Sequence, residues 1–406
     1  MRDEALHDSR YSWIRLGISL LIATVGNAGM WIVVVIMPAV EAEFGTGRGE
    51  SSLTYTATML GFALGNLLIG RAVDRFGVAL SLAGSAVLLA LSFGLAALSP
   101  SLLVLSILQF VVGFGTAAGF GPLIADISHW FLKRRGMAVA VAASGNYLSG
   151  AIWPLLLADI QIAYSWRGAY VTLALASLLL MLPLAALLRR RLPAAAAAHA
   201  DRLSEARAQA SGFGSRTLIW LLALAGIGCC VAMSMPQVHI VALCVDLGYG
   251  PAVGAEMLSL MLMGGVVSRL VSGWLADRLG GVITLLIGSG LQCLALFLYL
   301  PYTGLVSLYV VSLIFGLSQG GIIPSYAVIV REYLPAREAG ARVGFVIMAT
   351  ILGMALGGWM SGWIYDMTGS YRAAFLNGIA WNFLNIGIML LILARTRRGR
   401  ARLQPA

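Results

Sequence analysis

The chain reads as a succession of long apolar runs separated by short polar punctuation. Apolar stretches fall at 16–38, 53–73, 79–98, 101–125, 137–158, 168–188, 217–245, 252–275, 282–300, 303–330, 341–363 and 372–394, twelve in all. A helix needs about 20 apolar residues to cross hydrocarbon, so each run predicts a transmembrane helix. The runs are continuous rather than alternating, which excludes a closed barrel. Six lie on either side of a polar stretch at 189–216 that holds Arg189, Arg190, Arg191, Pro193 and an alanine run. The expected organisation is an N-terminal six-helix half at 1–188, a linker at 189–216, and a C-terminal six-helix half with a basic tail at 217–406.

The punctuation repeats. Gly70-Arg71-Ala72-Val73-Asp74-Arg75-Phe76-Gly77 and Gly273-Trp274-Leu275-Ala276-Asp277-Arg278-Leu279-Gly280 both match G-x-x-x-D-R-x-G and sit 203 positions apart. The same offset pairs Gly113 with Gly316, and Glu43 with Asp246, each acid just before a glycine (Gly45, Gly248). Ser165-Trp166-Arg167-Gly168-Ala169-Tyr170 is echoed at an offset of 205 by Ser370-Tyr371-Arg372-Ala373-Ala374-Phe375. Landmarks in one order predict a duplicated unit. With six helices per half, both copies share one orientation about an axis along the membrane normal and can rock around a site between them.

Composition agrees. The chain of 406 residues is 60% hydrophobic and only 11% charged, too few charges to cover a soluble surface. The net charge of +10 would suggest a polyanion partner until its positions are read. Of the 27 basic residues, all but Arg48, Arg167, Arg372 and Arg269 fall in the termini, the linker and loops of one parity. That asymmetry predicts cytoplasmic termini and linker in a multi-pass protein of a bacterial-type inner membrane, and no nucleic acid. The first apolar run follows a charged start and is long enough to stay in the bilayer, so no cleaved signal peptide is expected. Cys229, Cys230, Cys244 and Cys293 lack metal-site spacing and read as reduced packing thiols. A phosphate-binding loop, a metal cluster and paired deep carboxylates are all missing from the sequence. An enzyme, a cofactor and ATP-driven transport are therefore not expected.

The paired G-x-x-x-D-R-x-G blocks, after the second and eighth helices, resemble the signature of the major facilitator superfamily, and the resemblance covers essentially the whole chain. It implies an all-α membrane fold of twelve helices in two pseudo-symmetric halves. Gly70, Asp74, Arg75, Gly273, Asp277 and Arg278 then become expected conformational latches: the acid can cap a helix or pair with an arginine across the seam between halves, and the glycine lets backbones approach. Further stretches resemble the monocarboxylate transporters and the related oxalate–formate antiporters. They are Trp130-Phe131-Leu132-Lys133-Arg134-Arg135-Gly136, Ser144-Gly145, Gly150, Pro236-Gln237-Val238-His239, Asp246, Gly248, Gly358, Gly362, Asp366, Thr368-Gly369 and Tyr371-Arg372. The dense glycine–proline pattern in the fifth helix that marks drug–proton antiporters is missing.

Arg269 is the residue on which the expected chemistry turns. It lies eight residues before Asp277, about 12 Å into the membrane at 1.5 Å per residue. A charge that deep is costly unless it faces a cavity or a partner. Its counterpart in the first half is Asn66, so the charge is no inherited scaffold element. A guanidinium fork fits a carboxylate with two hydrogen bonds, and the resemblance implies an eighth-helix arginine that binds the substrate carboxylate; the alternative is a structural salt bridge. Where mammalian carriers have an aspartate one turn earlier, this chain has Gly265, and the eleventh-helix lysine of oxalate carriers is missing. One deep cation suits one carboxylate. Asn146, His239, Asn27, Tyr55, Tyr147, Gln319 and Tyr326 are further substrate-binding candidates, each with helix packing as the alternative. His239 and Asp246, seven residues apart, are proton-coupling candidates. The expectation is a monomeric secondary transporter of a small organic anion, a monocarboxylate, in symport with protons. An anion exchanger without proton coupling and a drug exporter are the rivals, and a membrane sensor would need a signalling domain.

Overall fold

The computed structural model describes residues 7–131, 134–190, 215–301, 304–333 and 336–403, a few side chains within them excepted, and these residues are helical with short turns. Eleven continuous helical stretches among them are long and apolar enough to cross a bilayer. One of these, Met137–Leu187, runs for 51 residues, about 76 Å as a straight helix against a core of about 30 Å. It breaks at Tyr164 and Ser165, where Ser165 takes φ +62°, and so makes two crossings, the fifth and sixth. The twelve-helix expectation holds.

In chain order, the first crossing is Arg10–Gly26 continued by Ala28–Phe44, and the second is Leu53–Phe76. The third is Val78–Ala96; the fourth is Leu102–Thr116 continued by Gly121–Trp130. In the second half the seventh is Ser215–Asp246, the eighth Pro251–Leu279 and the ninth Gly281–Leu298. The tenth is Leu305–Gln319 continued by Ile322–Tyr333, the eleventh Ala336–Thr368 and the twelfth Tyr371–Leu403. The first, fourth and tenth helices are therefore each interrupted near the middle, at Asn27, Ala117–Phe120 and Gly320–Gly321. Of the linker expected at 189–216, residues 191–214 lie outside the described residues, as does Lys133.

The duplication is visible atom by atom. The glycine ending each signature block, Gly77 and Gly280, takes φ of +88° and +82° and donates its N–H to Val73 and Ala276 at 2.8 and 3.0 Å. That region is closed to most L-residues, so glycine makes the turn in both halves. Gly113 lies on the carbonyl of Thr58, and Gly316 on the carbonyl of Met261. A Cβ at either would collide with that backbone, and both members of the pair are shifted by the same 203 positions.

The second helix packs along the eleventh, the fifth along the eighth, and the first against the seventh, so the seam between halves has the symmetry of the duplication. One apolar core runs through both halves across this seam. Outside, Leu98, Leu103, Ile162, Leu179 and Val306 stand largely exposed, a surface suited to lipid rather than water. All four cysteines are free and buried.

Candidate functional site

The seam between the fifth and eighth helices holds Arg269, which is 2% exposed. Its Nε donates to the Gly320 carbonyl at 3.1 Å and its Nη1 to the Ala143 carbonyl at 2.5 Å. Gly320 lies at the break of the tenth helix, where carbonyls lack intrahelical donors. The guanidinium carbon sits 4.0 Å from the centroid of the Tyr147 ring, a cation–π contact. Among the described residues the ion pairs are Arg15–Asp126, Arg48–Glu41, Arg48–Asp246 and Arg167–Glu43, and none involves Arg269. The alternative of a structural salt bridge thus finds no acid here. A Cβ at Gly265 would lie 2.8 Å from Cδ2 and Cε2 of Tyr147. The ring of Tyr147 fills the space in which the resemblance would put an aspartate.

Beside this arginine is a polar cluster from both halves. Gln237 Nε2 donates to Gln319 Oε1 at 2.6 Å, and Gln319 adjoins Gly320, whose carbonyl accepts from Arg269. Tyr55 lies against Gly358 of the eleventh helix. Gln237, Gln319 and Tyr55 are each fully buried, at 0% exposure. Among the described residues Gln237 Oε1, Gln319 Nε2 and Tyr55 Oη have no hydrogen-bond partner. Of the expected substrate-binding residues, Arg269, Tyr147 and Gln319 therefore come together, while Tyr55 is buried where the second helix meets the eleventh. Gln237 joins them unforeseen, and the polar Pro236-Gln237 step in an otherwise apolar run was the signal for it.

The other expected residues are engaged elsewhere. Asn27 occupies the break in the first helix and donates to the carbonyls of Ala23 and Gly119 at 2.7 and 3.1 Å. Asn146 donates to Asn27 Oδ1 at 3.0 Å, and its carbonyl accepts from Trp31 Nε1 at 2.9 Å. This is a clamp between the first, fourth and fifth helices. Tyr326 accepts from Asn385 Nδ2 at 2.6 Å and donates to Cys229 at 3.4 Å, inside the C-terminal half.

A second centre closes the face opposite the termini. Arg48, in the turn after the first helix, grips both carboxylate oxygens of Asp246 at 2.7 and 3.1 Å. It also donates to Glu41 at 3.2 Å and to the Tyr371 hydroxyl at 2.6 Å. Asp366 accepts from the backbone N–H groups of Arg48 and Gly49 at 3.0 and 2.6 Å. Tyr371 continues to His239 Nδ1 at 3.3 Å, and His239 Nε2 lies 2.8 Å from the Gly358 carbonyl. A carbonyl only accepts, so Nε2 carries the proton and Nδ1 accepts from Tyr371. The donors run Arg48, Tyr371, His239, and the Gly358 carbonyl is the final acceptor. His239 and Asp246 are linked through Arg48 and Tyr371 rather than by facing one another. Arg48, read from sequence as a loop charge, is the hub.

Of the latch residues, Arg75 lies against Phe76 at 5.2 Å and Arg278 against Trp274 at 4.1 Å. Gly273 stands beside Ala140 of the fifth helix, while Gly70 has open space around it. The side chains of Asp74 and Asp277 lie outside the described residues. The terminal face of the N-terminal half is held by Arg15, 1% exposed, which pairs with Asp126 at 2.8 and 2.9 Å.

Two six-helix halves meeting at a polar seam define a membrane carrier. The chain matches the model of the Major Facilitator Superfamily over residues 19–307 and again over 222–406. It is 30% identical to monocarboxylate transporter 13 of Rattus norvegicus over 348 residues, covering 80% of this chain and 78% of that one. Monocarboxylate transporter 11 of Homo sapiens is 32% identical over 324 residues, 74% of this chain and 67% of that one. A gentisate transporter of Corynebacterium glutamicum is 24% identical over 379 residues, 86% and 82% of the two chains. Among solved structures, a bacterial homolog of the human lysosomal transporter Spinster, inward-facing and occupied, superposes with a TM-score of 0.68 at 13% identity, covering 98% of this chain and 99% of that one. The chain belongs to the major facilitator superfamily and resembles its monocarboxylate transporters. It is a multi-pass membrane transport protein, not an enzyme.

Proposed function

We propose that the protein is a secondary carrier of the cytoplasmic membrane that moves a small organic monocarboxylate with protons by alternating access. The carrying observation is Arg269, a deeply buried cation with no carboxylate partner among the described residues. Backbone carbonyls and a tyrosine face offset its charge only in part, and a substrate carboxylate supplies the missing anion through two parallel hydrogen bonds. The likeness to carriers named for monocarboxylates supports this cargo, and the gentisate carrier extends the chemistry to an aromatic acid. The termini face the cytoplasm, the working unit is a monomer, and the two signature blocks hold one access state.

His239 is the proposed proton site. Its protonation puts a hydrogen on Nδ1, removes the acceptor that Tyr371 uses, and adds a cation beside Arg48, which loosens the outer face. Asp246, held by Arg48, is the second group in that linkage. Proteoliposomes test the reading. Labelled monocarboxylate should accumulate when the outside is acidified without counter-substrate, and Arg269→Ala should abolish uptake while leaving the fold intact. Full uptake by that variant would sink the assignment. Arg269→Lys should rescue poorly, because an ammonium lacks the planar fork. The space taken by Tyr147 beside Gly265 leaves Arg269 without a neighbouring proton-carrying acid, which favours exchange as the second reading. Uptake that requires counter-substrate and ignores the pH gradient would select it.

A further inference from the structure

Apart from the seam, the C-terminal half buries a set of polar side chains that its own fold does not satisfy. Ser289 and Gln292 of the ninth helix, Asn382 and Asn385 of the twelfth, and Tyr326 of the tenth all stand at 0% exposure. They gather on the seventh helix. Gln292 Nε2 donates to the Cys229 carbonyl at 3.0 Å and to Asn382 Oδ1 at 3.4 Å. Asn382 Nδ2 donates to the Ser289 carbonyl at 2.8 Å. Asn385 Nδ2 donates to the Ala225 carbonyl at 2.9 Å and to the Tyr326 hydroxyl at 2.6 Å. A carbonyl only accepts, so the nitrogen end of each amide is fixed, and its oxygen end with it. Among the described residues Gln292 Oε1, Asn385 Oδ1 and Ser289 Oγ have no hydrogen-bond partner.

The remainder is all oxygen. Two of the three atoms carry lone pairs and no hydrogen, and the hydroxyl has lone pairs equally free. What such a set lacks is a positive centre, and hard cations take oxygen ligands of this kind. The carbonyls of Cys229 and Ser289, each with a second lone pair, adjoin them. None of these groups is charged, and a neutral oxygen set offsets a single buried charge far better than a double one. The fold itself does not call for this polarity. At the offset of 203 positions Ser289 and Gln292 correspond to Ala86 and Leu89, both buried at 0% in the N-terminal half. The same places in the same architecture pack with apolar side chains, so the polar set serves something other than helix packing. We infer that Gln292, Asn385 and Ser289 form a binding site for a small monovalent cation of the size of sodium, which ties the seventh, ninth and twelfth helices together. The site shares no residue with the carboxylate site at Arg269 and stands independently of it.

Sodium and choline chlorides at equal ionic strength separate a bound ion from a salt effect. Purified protein should bind radiolabelled sodium saturably. Its thermal midpoint should rise by about 2 °C or more in sodium over choline, because a ligand held only by the folded state stabilises it. In Ser289→Ala/Gln292→Leu, which installs the pair that the N-terminal half already packs, both effects should vanish while the protein stays monodisperse and helical. Ser289→Ala alone removes one oxygen and should weaken sodium binding about tenfold, which keeps the test decisive if the double variant does not fold. Equal midpoints in the two salts with no saturable sodium binding overturn the inference, the oxygens then being met by ordered water. Sodium binding unchanged in both variants overturns it as well. Arg269→Ala should leave sodium binding intact; its loss there would put the ion at the seam and overturn this site.

Discussion

Asn66 and Arg269 occupy equivalent places in the two halves, yet they face different ways. Asn66 stays at home. Its Nδ2 donates to Phe62 at 2.8 Å, and its Oδ1 accepts from the N–H of Gly121, at the break of the fourth helix, at 3.1 Å. Arg269 also meets the break of a helix in its own half, at Gly320, but then crosses the seam to Ala143. The acids Glu43 and Asp246 repeat the contrast. Glu43 accepts from Trp166 and Arg167 of its own half at 2.7 and 2.5 Å. Asp246 is gripped by Arg48 of the other half. Duplication supplied the frame twice, and in both pairs the C-terminal copy has become a contact between halves. A carrier that rocks on its seam needs such contacts, because only they differ between access states.

The comparison breaks most sharply if the arginine is replaced by its counterpart. Arg269→Asn should lower uptake by a hundredfold or more while the thermal midpoint holds or rises, since an unpaired buried charge is removed. Transport close to that of the unaltered protein would mean the asymmetry is incidental. Next in size is Asp246→Asn. It removes the charge-assisted bonds to Arg48, each worth about 1.5–3 kcal/mol. A cysteine placed at the buried Ser52 should then react with a membrane-impermeant maleimide roughly tenfold faster, as the outer face opens. An unchanged rate would remove Arg48 from the closure. Gly265→Ala should cost about 1–3 kcal/mol of stability by overpacking against Tyr147, with Tyr147→Leu recovering most of it in a thermal-unfolding cycle. The smallest change is Glu43→Gln. The Glu43–Arg167 pair is 39% and 34% exposed, so its loss should cost at most about 1 kcal/mol and leave uptake unaltered.

The candidate site was only partly legible before the fold was in hand. Arg269 announced itself, since a charge midway along an apolar run needs a reason at any orientation. Tyr147, Gln319 and Tyr55 were named as polar residues within predicted helices, and so were Asn27, Asn146 and Tyr326. Position within an apolar run does not separate the two groups. Asn27 and Asn146 bond to each other and to helix breaks, and Tyr326 to Asn385 and Cys229, so their polar groups are used in packing. Gln237 was read only as part of a motif and Arg48 only as a loop charge, because their meaning lies in partners far along the chain. Arg48 meets Asp366 and Tyr371 across more than 300 positions, a distance no local spacing encodes.

Hydrophobic runs, the repeat at 203 positions and the distribution of arginines were enough to read the twelve crossings and the two halves, and the resemblance of the repeated block to a known signature gave the superfamily. They suffice because a bilayer leaves the backbone no alternative to helices, so length and polarity translate directly into spans. Which face each polar side chain turns to, and whether it finds a partner, was decided only when the helices packed. Tertiary contact consumed Asn27, Asn146 and Tyr326 in structure. It set Arg48 across the outer seam, and it left Arg269 without an acid beside an amide pair with one donor and one acceptor to spare. A polar group's role depends on which of its hydrogen bonds the fold satisfies, and that is a property of the assembled seam.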